Sequence, residues 1–351
     1  MLTTTRIALL LSLLLAASAF RASAQVISAG RVVDPNKNFS LNLRVGQITE
    51  IDGEVTETTR QLYTQLGLDE RQSYAESYDF NELGLKDSDT MFGLEMEKMW
   101  KYLTFRGSLS YFTAEASGVA KRDYFIRVDE IEYEGKTYDH MKIEGGDSYT
   151  ASLEAGLLHL RTQITPFTIA PENIVSFTPF LHLGIFAMYG TFEADAGEAT
   201  GTQMYQNPPY EFVVGGHGEG DSGVFAPEIG LGGELRVYLG QTKGGLVELA
   251  LEGTYSIFEY NGSSGSLGVS SENDKDLDID YSMVEVRATL NVPMSTEVDF
   301  LVGAEGRVIS ADGSSKAKDR GDEDALVRRE KFDLDVSLDL TMINFFVGLR
   351  W

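Results

Sequence analysis

Cysteine is absent from all 351 residues. That excludes disulfide frameworks, thiolate zinc and iron–sulfur sites, cysteine nucleophiles and lipid attachment through an N-terminal cysteine. Positive charge is scarce: 29 Lys and Arg against 54 Asp and Glu leave a formal charge of −25. Nucleic acid and other polyanions are therefore not drawn in by charge. Histidine is limited to His140, His159, His182 and His217. Helical periodicity is scarce, and no run after residue 24 is long and apolar enough for a spanning helix. What is present is 42% hydrophobic and 11% aromatic residues, enough for one large folded domain or two small ones.

Residues 1–24 carry Arg6, an apolar run from Ile7 to Phe20, and then Ala22-Ser23-Ala24. This is the pattern of a cleaved signal peptide; the fourteen-residue run falls short of the roughly 20 residues a spanning helix needs. The expected mature chain starts at Gln25, with residues 25–38 as an N-terminal periplasmic segment and 39–351 as one domain. Losing Arg6 and Arg21 moves the formal charge from −25 to −27.

From residue 39 onward the dominant signal is apolar alternation with period two, which sorts side chains onto the two faces of a strand. Leu103, Phe105, Gly107, Leu109 and Tyr111 oppose Thr104, Arg106, Ser108 and Ser110. Tyr149, Ala151, Leu153, Ala155 and Leu157 oppose Thr150, Ser152, Glu154 and Gly156. Ten such segments occur, at about 39–51, 90–98, 101–113, 148–159, 178–192, 225–239, 246–258, 280–291, 297–309 and 331–351. Long polar stretches follow the odd-numbered segments and short turns follow the second, sixth and eighth. That rhythm predicts an all-β, up-and-down antiparallel transmembrane β-barrel of about ten strands, with eight or twelve as alternatives, long extracellular loops and short periplasmic turns. The exception is residues 160–177, too long for a tight turn. Near Met342 the outward parity slips, and a β-bulge there is expected to reconcile the registers.

The chain ends Phe345-Phe346-Val347-Gly348-Leu349-Arg350-Trp351. With the proline-led, glycine-rich strands at 177–184 and 225–235, this ending resembles small bacterial outer-membrane β-barrel proteins of the OmpA and OmpX type. The resemblance implies that Phe345, Val347, Leu349 and Trp351 form the signal read by the barrel-assembly machinery. It also implies the outer membrane of a Gram-negative-type bacterium, in contact with outer-membrane lipid and lipopolysaccharide, and a monomer.

The charged strand faces agree, since a soluble sandwich could not bury them at tolerable cost. In a barrel they line the lumen, where Arg44, Arg106, Arg236, Arg287 and Arg307 would meet Glu154, Glu234, Glu252, Glu285 and Glu305. Ten strands enclose little space, so a wide porin is not expected. Inward glycines at 156, 184, 230, 232 and 303 thin the filling and leave a narrow, cation-preferring channel as the alternative to a salt-bridged interior.

No catalytic constellation is visible. The residues two past each histidine, Lys142, Arg161, Gly184 and Glu219, do not supply the His-x-Ser pair of outer-membrane phospholipases and lipid A deacylases. Asp139-His140 is adjacent, so its side chains point to opposite faces. A hydrolase is the least favoured reading, and the chain is expected not to be an enzyme. Asp274, Asp276, Asp278, Asp280 and Glu285 have EF-hand spacing, but Ile279 stands where that loop needs glycine, so no metal or cofactor is expected. Residues 114–147 read as an extra hairpin around Glu134-Gly135-Lys136. Residues 193–223 read as an acidic loop whose Tyr205, Tyr210 and Phe212 suit contact with an extracellular partner. The expected function is a structural or surface-contact role through these loops.

Overall fold

The computed structural model describes residues 26–31, 33–65, 68–80, 82–85, 87–133, 136–172, 174–203, 210–263, 275–317 and 329–351. Among them are fifteen strands and no helix. The first eight are β1 (Val26–Ala29), β2 (Phe39–Gln65), β3 (Leu68–Asp79), β4 (Met91–Met99), β5 (Leu103–Val119), β6 (Tyr124–Tyr133), β7 (Lys136–Ile143) and β8 (Ser148–Ile164). The rest are β9 (Phe167–Glu172), β10 (Val175–Gln203), β11 (Tyr210–Thr242), β12 (Gly245–Ser263), β13 (Lys275–Pro293), β14 (Asp299–Ala317) and β15 (Arg329–Arg350).

Ten of these, β2, β4, β5, β8 and β10 to β15, close into an antiparallel cylinder that matches the ten alternating segments. β8 pairs with both β5 and β10, and the last strand meets the first, Arg350 facing Ser40 and Arg329 facing Leu62. The long connection at 160–177 is resolved by β8 running on to Ile164 and by the short β9, which pairs with β1 at the mouth. β6 and β7 form the expected extra hairpin, and β7 leans on β10. The described parts of the 193–223 stretch, residues 193–203 and 210–223, are strand and not loop. β10 and β11 stay paired from Val175↔Val237 to Gln203↔Tyr210, with one register shift at Ala196/Ala199, so the barrel wall itself extends through that acidic, glycine-rich sequence.

Near the short-turn end the outer face is apolar. Leu103, Leu109 and Tyr111 on β5, Leu181, Leu183 and Ile185 on β10, and Phe345, Val347, Leu349 and Trp351 at the end of the chain are all exposed. Leu103 to Tyr111 and Ile343 to Trp351 each span nine residues. At a rise of about 3.3 Å and a tilt of about 40°, nine residues make a band roughly 20 Å tall, close to what a bilayer core requires.

Above that band the polarity of the two faces inverts. Phe112, Tyr149, Leu157, Phe186, Tyr281, Ile309, Leu338, Leu340 and Met342 point inward and form one apolar core with Leu83 and Leu85 of the β3–β4 connection. Outside lie Glu50, Glu115, Glu154, Glu193, Glu259, Asp280, Asp312 and Asp339. Water bathes the wall here, so an apolar interior under a charged exterior is the cheaper arrangement.

This inversion corrects the faces assigned to β8. Tyr149, Ala151, Ala155 and Leu157 are the buried, inward set, so Glu154 and Gly156 lie on the outside. Glu154 accepts a 2.8 Å hydrogen bond from the exposed Tyr111 hydroxyl and takes no part in the lumen. The same inversion explains Met342. From Asp335 onward β15 keeps one alternation, with Leu338, Leu340, Met342, Asn344 and Phe346 all inward. A bulge does occur at that level, but in β2: Thr341 faces Glu50 and Met342 faces Ile48, which leaves Thr49 as the extra residue.

Candidate functional site

The lumen below the apolar core is filled by ions projecting from alternate positions of the walls. Arg106 donates to Glu97 at 2.6 Å and, through both terminal nitrogens, to Glu252 at 2.9 Å. Arg287 clamps Glu95 at 2.6 and 2.7 Å and reaches Glu305 at 3.2 Å, while Arg44 bonds Glu305 and lies 3.5 Å from Glu95. Arg307 approaches Glu285 at 2.8 Å and Glu305 at 2.7 Å. Arg161 faces Glu285 at 3.2 Å and Glu228 at 3.3 Å, and His159 bonds Glu228 at 2.8 Å. Toward the short-turn mouth, Arg236 pairs with Glu234 at 2.5 Å and Glu248 at 3.6 Å, Arg350 with Glu97 at 3.6 Å, Arg31 with Glu234 at 3.2 Å and Lys37 with Asp299 at 2.5 Å.

Nine Arg and Lys cations thus meet nine carboxylates in the described interior, and each has an opposite charge within 4 Å. Such pairing offsets a desolvation cost of several kcal/mol per ion. The expected acidic wall is therefore balanced, and the excess negative charge of the chain lies elsewhere. A space of about 30 Å³ remains beside Glu97, Arg106, Arg236, Glu248 and Arg350, room for a water molecule or two.

The inward glycines do not open a path. Gly156 faces outward, and side chains of β10 and β15 cover most of the others. The Phe180 ring lies where a Cβ on Gly232 would sit, and Phe346 does the same at Gly303. Gly230 lets the His182 imidazole cross to the hydroxyl of Ser256, with Nε2 at 2.7 Å from Oγ. That row is set by register, His182 opposite Gly230 and Gly230 opposite Ser256. The pair is fully buried, and His182 Nδ1 has no partner among the described residues, so the acceptor that orients a base in nucleophilic sites is missing.

Nine of the ten residues assigned to the lumen network are there: Arg44, Arg106, Arg236, Arg287, Arg307, Glu234, Glu252, Glu285 and Glu305 are buried or nearly so, and Glu154 is not. Sequence reasoning missed Arg161 and His159, although the run His159-x-Arg161-x-Gln163 against Leu158, Leu160 and Ile164 carries the polar alternation that marks them. Arg31 and Lys37 belong to no periodic segment and had no such signal. Phe345, Val347, Leu349 and Trp351 are exposed on the outer face. Tyr205 and Asp274 lie outside the described residues; Tyr210 and Phe212 are placed only as backbone positions of β11. No group of three metal-binding side chains occurs among the described residues.

No protein-family profile matches the sequence, and no curated protein matches it. Solved structures do align. The outer membrane protease OmpT from Escherichia coli is 10% identical over 92% of this chain and 99% of its own, with a TM-score of 0.41. CdiB from Acinetobacter baumannii is 10% identical over 91% of this chain and 65% of its own, at 0.20. A TodX monoaromatic hydrocarbon channel, the deltaS2 mutant, is 8% identical over 88% and 90%, at 0.15. Two expectations are corrected. Ten strands replace the roughly eight of OmpA- and OmpX-type barrels, so that narrower kinship is not supported. The expectation of a chain that is not an enzyme is withdrawn, because the barrel spanning nearly all of both chains is a protease, although so distant a likeness transfers neither its residues nor its reaction. The chain's own strands show a closed, ten-strand antiparallel barrel with an apolar outer band.

Proposed function

We propose that the chain is exported by residues 1–24, embeds in the bacterial outer membrane, and acts through its extracellular face while its lumen stays sealed. The observation that carries this reading is the inversion of polarity along the wall. An apolar band fit for lipid gives way, on eight of ten wall strands, to outward carboxylates from Glu50 to Asp339. Below the inversion the interior is charge-neutral and filled; above it, the interior is an apolar core. The wall therefore presents its excess negative charge just outside the band, at the level of the outer-leaflet headgroups. Lipopolysaccharide phosphates are also anionic, and hard divalent cations held by carboxylate oxygens would bridge the two. Tyr210 and Phe212, at the far end of β11 in the backbone register, are the aromatic residues this reading assigns to contact.

The test is reconstitution into lipopolysaccharide-containing vesicles with and without magnesium. Thermal stability of the embedded protein is expected to fall when magnesium is chelated, and the fall to shrink when Asp280, Asp312 and Asp339 are changed to Asn. A magnesium response identical in both proteins removes the bridging role. Recovery of the mature chain in the soluble periplasmic fraction removes the membrane reading altogether.

A further inference from the structure

Residues 26–31 and 33–38 lie across the short-turn mouth as a strap. β1 adds to the edge of β9 from Val26↔Ala170 to Ala29↔Phe167. Beyond it the chain is gripped by parts of the barrel that lie far apart in sequence. The Gly30 N–H donates to the Pro166 carbonyl at 2.9 Å, and the Arg31 N–H to the Lys101 carbonyl at 2.6 Å. The Thr168 hydroxyl donates to the Gly30 carbonyl at 3.0 Å. Gly30 has φ of 74°, and a Cβ there would run into the Lys101 carbonyl oxygen, so the fit excludes other residues. The Arg31 side chain turns into the lumen, donating to Glu234 at 3.2 Å and Gln163 at 3.5 Å. Six residues on, Lys37 reaches Asp299 at 2.5 Å and the Ser295 carbonyl at 2.8 Å.

These partners come from the β4–β5 turn, the β8–β9 link, the β11 wall and the β13–β14 turn. They converge only once the cylinder has closed, so the finished mouth holds the strap as a receptor holds a ligand: a strand edge, a glycine-sized slot and two carboxylate anchors. We propose that the mouth is a peptide-binding site for an extended segment bearing Arg and, six positions on, Lys, and that the chain's own strap is its resident, exchangeable occupant. β-Augmentation supplies affinity through the backbone, and the two cation anchors supply specificity. The inference concerns the mouth alone and goes beyond the extracellular role.

The chain has no cysteine, so one introduced thiol reports on the site without background. Thr168 is 2% exposed beneath Gly30. In the full chain carrying Thr168→Cys, maleimide labelling in detergent is expected to be slow. Adding Arg31→Ala is expected to speed it at least about tenfold, because one buried anchor of the strap is lost. A synthetic peptide spanning residues 26–38 is expected to return the Arg31→Ala protein to slow labelling, and the same peptide with alanine in place of Arg31 is not. Gel mobility of unboiled samples shows that the barrel is closed in each case. Labelling unchanged by Arg31→Ala, or fast labelling that the natural peptide does not slow, overturns the proposal. If Arg31→Ala yields no closed barrel, Lys37→Ala, which releases only the outer anchor, is read by the same two criteria.

Discussion

Arg106 shows how much rides on single residues in the lumen. Its guanidinium satisfies Glu97 and Glu252 at once, all three being almost completely buried. Arg106→Ala would leave two carboxylates without their principal partner, at a cost of about 3–5 kcal/mol for a broken buried pair. Arg236, near the mouth and partly wetted, should lose less, since solvent replaces some of what Glu234 and Glu248 lose. Glu154→Gln, on the outer wall, should stay within about 0.5 kcal/mol of the parent. Unfolding in detergent should rank the three in that order; equal losses would mean that inside and outside have been wrongly assigned. These residues were legible in the sequence to the extent that charge alternates with apolar neighbours. Arg106, Arg236, Arg287 and Arg307 stand out for that reason. Arg161 was hidden because β8 crosses the level where the rule changes sign, so a pattern taken from Tyr149 to Leu157 gives the wrong face for everything below it.

The same level decides how strands and hairpins could be read. Period-two alternation locates a strand whichever face is apolar, and all ten wall segments were recoverable from it. It cannot say which face is inside, because the apolar face meets lipid in one part of a strand and the core in another. Nor did it find the upper part of the β10–β11 hairpin, where residues 215–223 of β11, rich in glycine and acid, keep the ladder without apolar alternation. At the closing seam, Trp351 and Phe39 exchange backbone hydrogen bonds at 2.8 and 2.9 Å and their rings meet edge to face at 5.1 Å. Trp351→Asp should therefore cut the yield of closed barrel several-fold, whereas Trp100→Asp, in an exposed turn, should not; equal yields of heat-shifted protein would refute a closing role. At the base of the β6–β7 hairpin, the Gly145 N–H at 2.9 Å and then the Lys142 ammonium at 3.2 Å hold the Asp123 carboxyl below its usual range. A depressed carboxylate stabilises above its unfolded pKa of about 3.9, and that contribution is lost as pH falls through the lower folded value. Proteolysis of this hairpin should rise on acidification toward pH 3, and Asp123→Asn should flatten that response.

Across the whole molecule, three barriers lie in series along the axis: the strap with Arg31 and Lys37, the neutral ion network, and the apolar core under Leu83 and Leu85. In the sealed-lumen reading each would oppose ions for a different reason. The strap covers the mouth, the network encloses a space of about 30 Å³ beside Arg106, and the core offers mainly apolar side chains, its Tyr149 and Tyr281 hydroxyls being already engaged, in place of a hydration shell. The narrow cation-preferring path expected from an acidic, glycine-thinned lumen required both an unbalanced wall and open glycines, and neither is found among the described residues. Barriers in series also mean that weakening one leaves the other two in place. The parent protein should give a silent trace in planar bilayers, and so should Arg31→Ala, Arg106→Ala and Leu83→Ala taken singly, even where Arg106→Ala lowers the unfolding temperature. Stability and conductance would then separate, as they must if the ions hold the barrel together without lining a route through it. Steady, cation-selective steps from any one of these single variants would show that its barrier was the only effective one, and the lumen would have to be treated as a gated path after all.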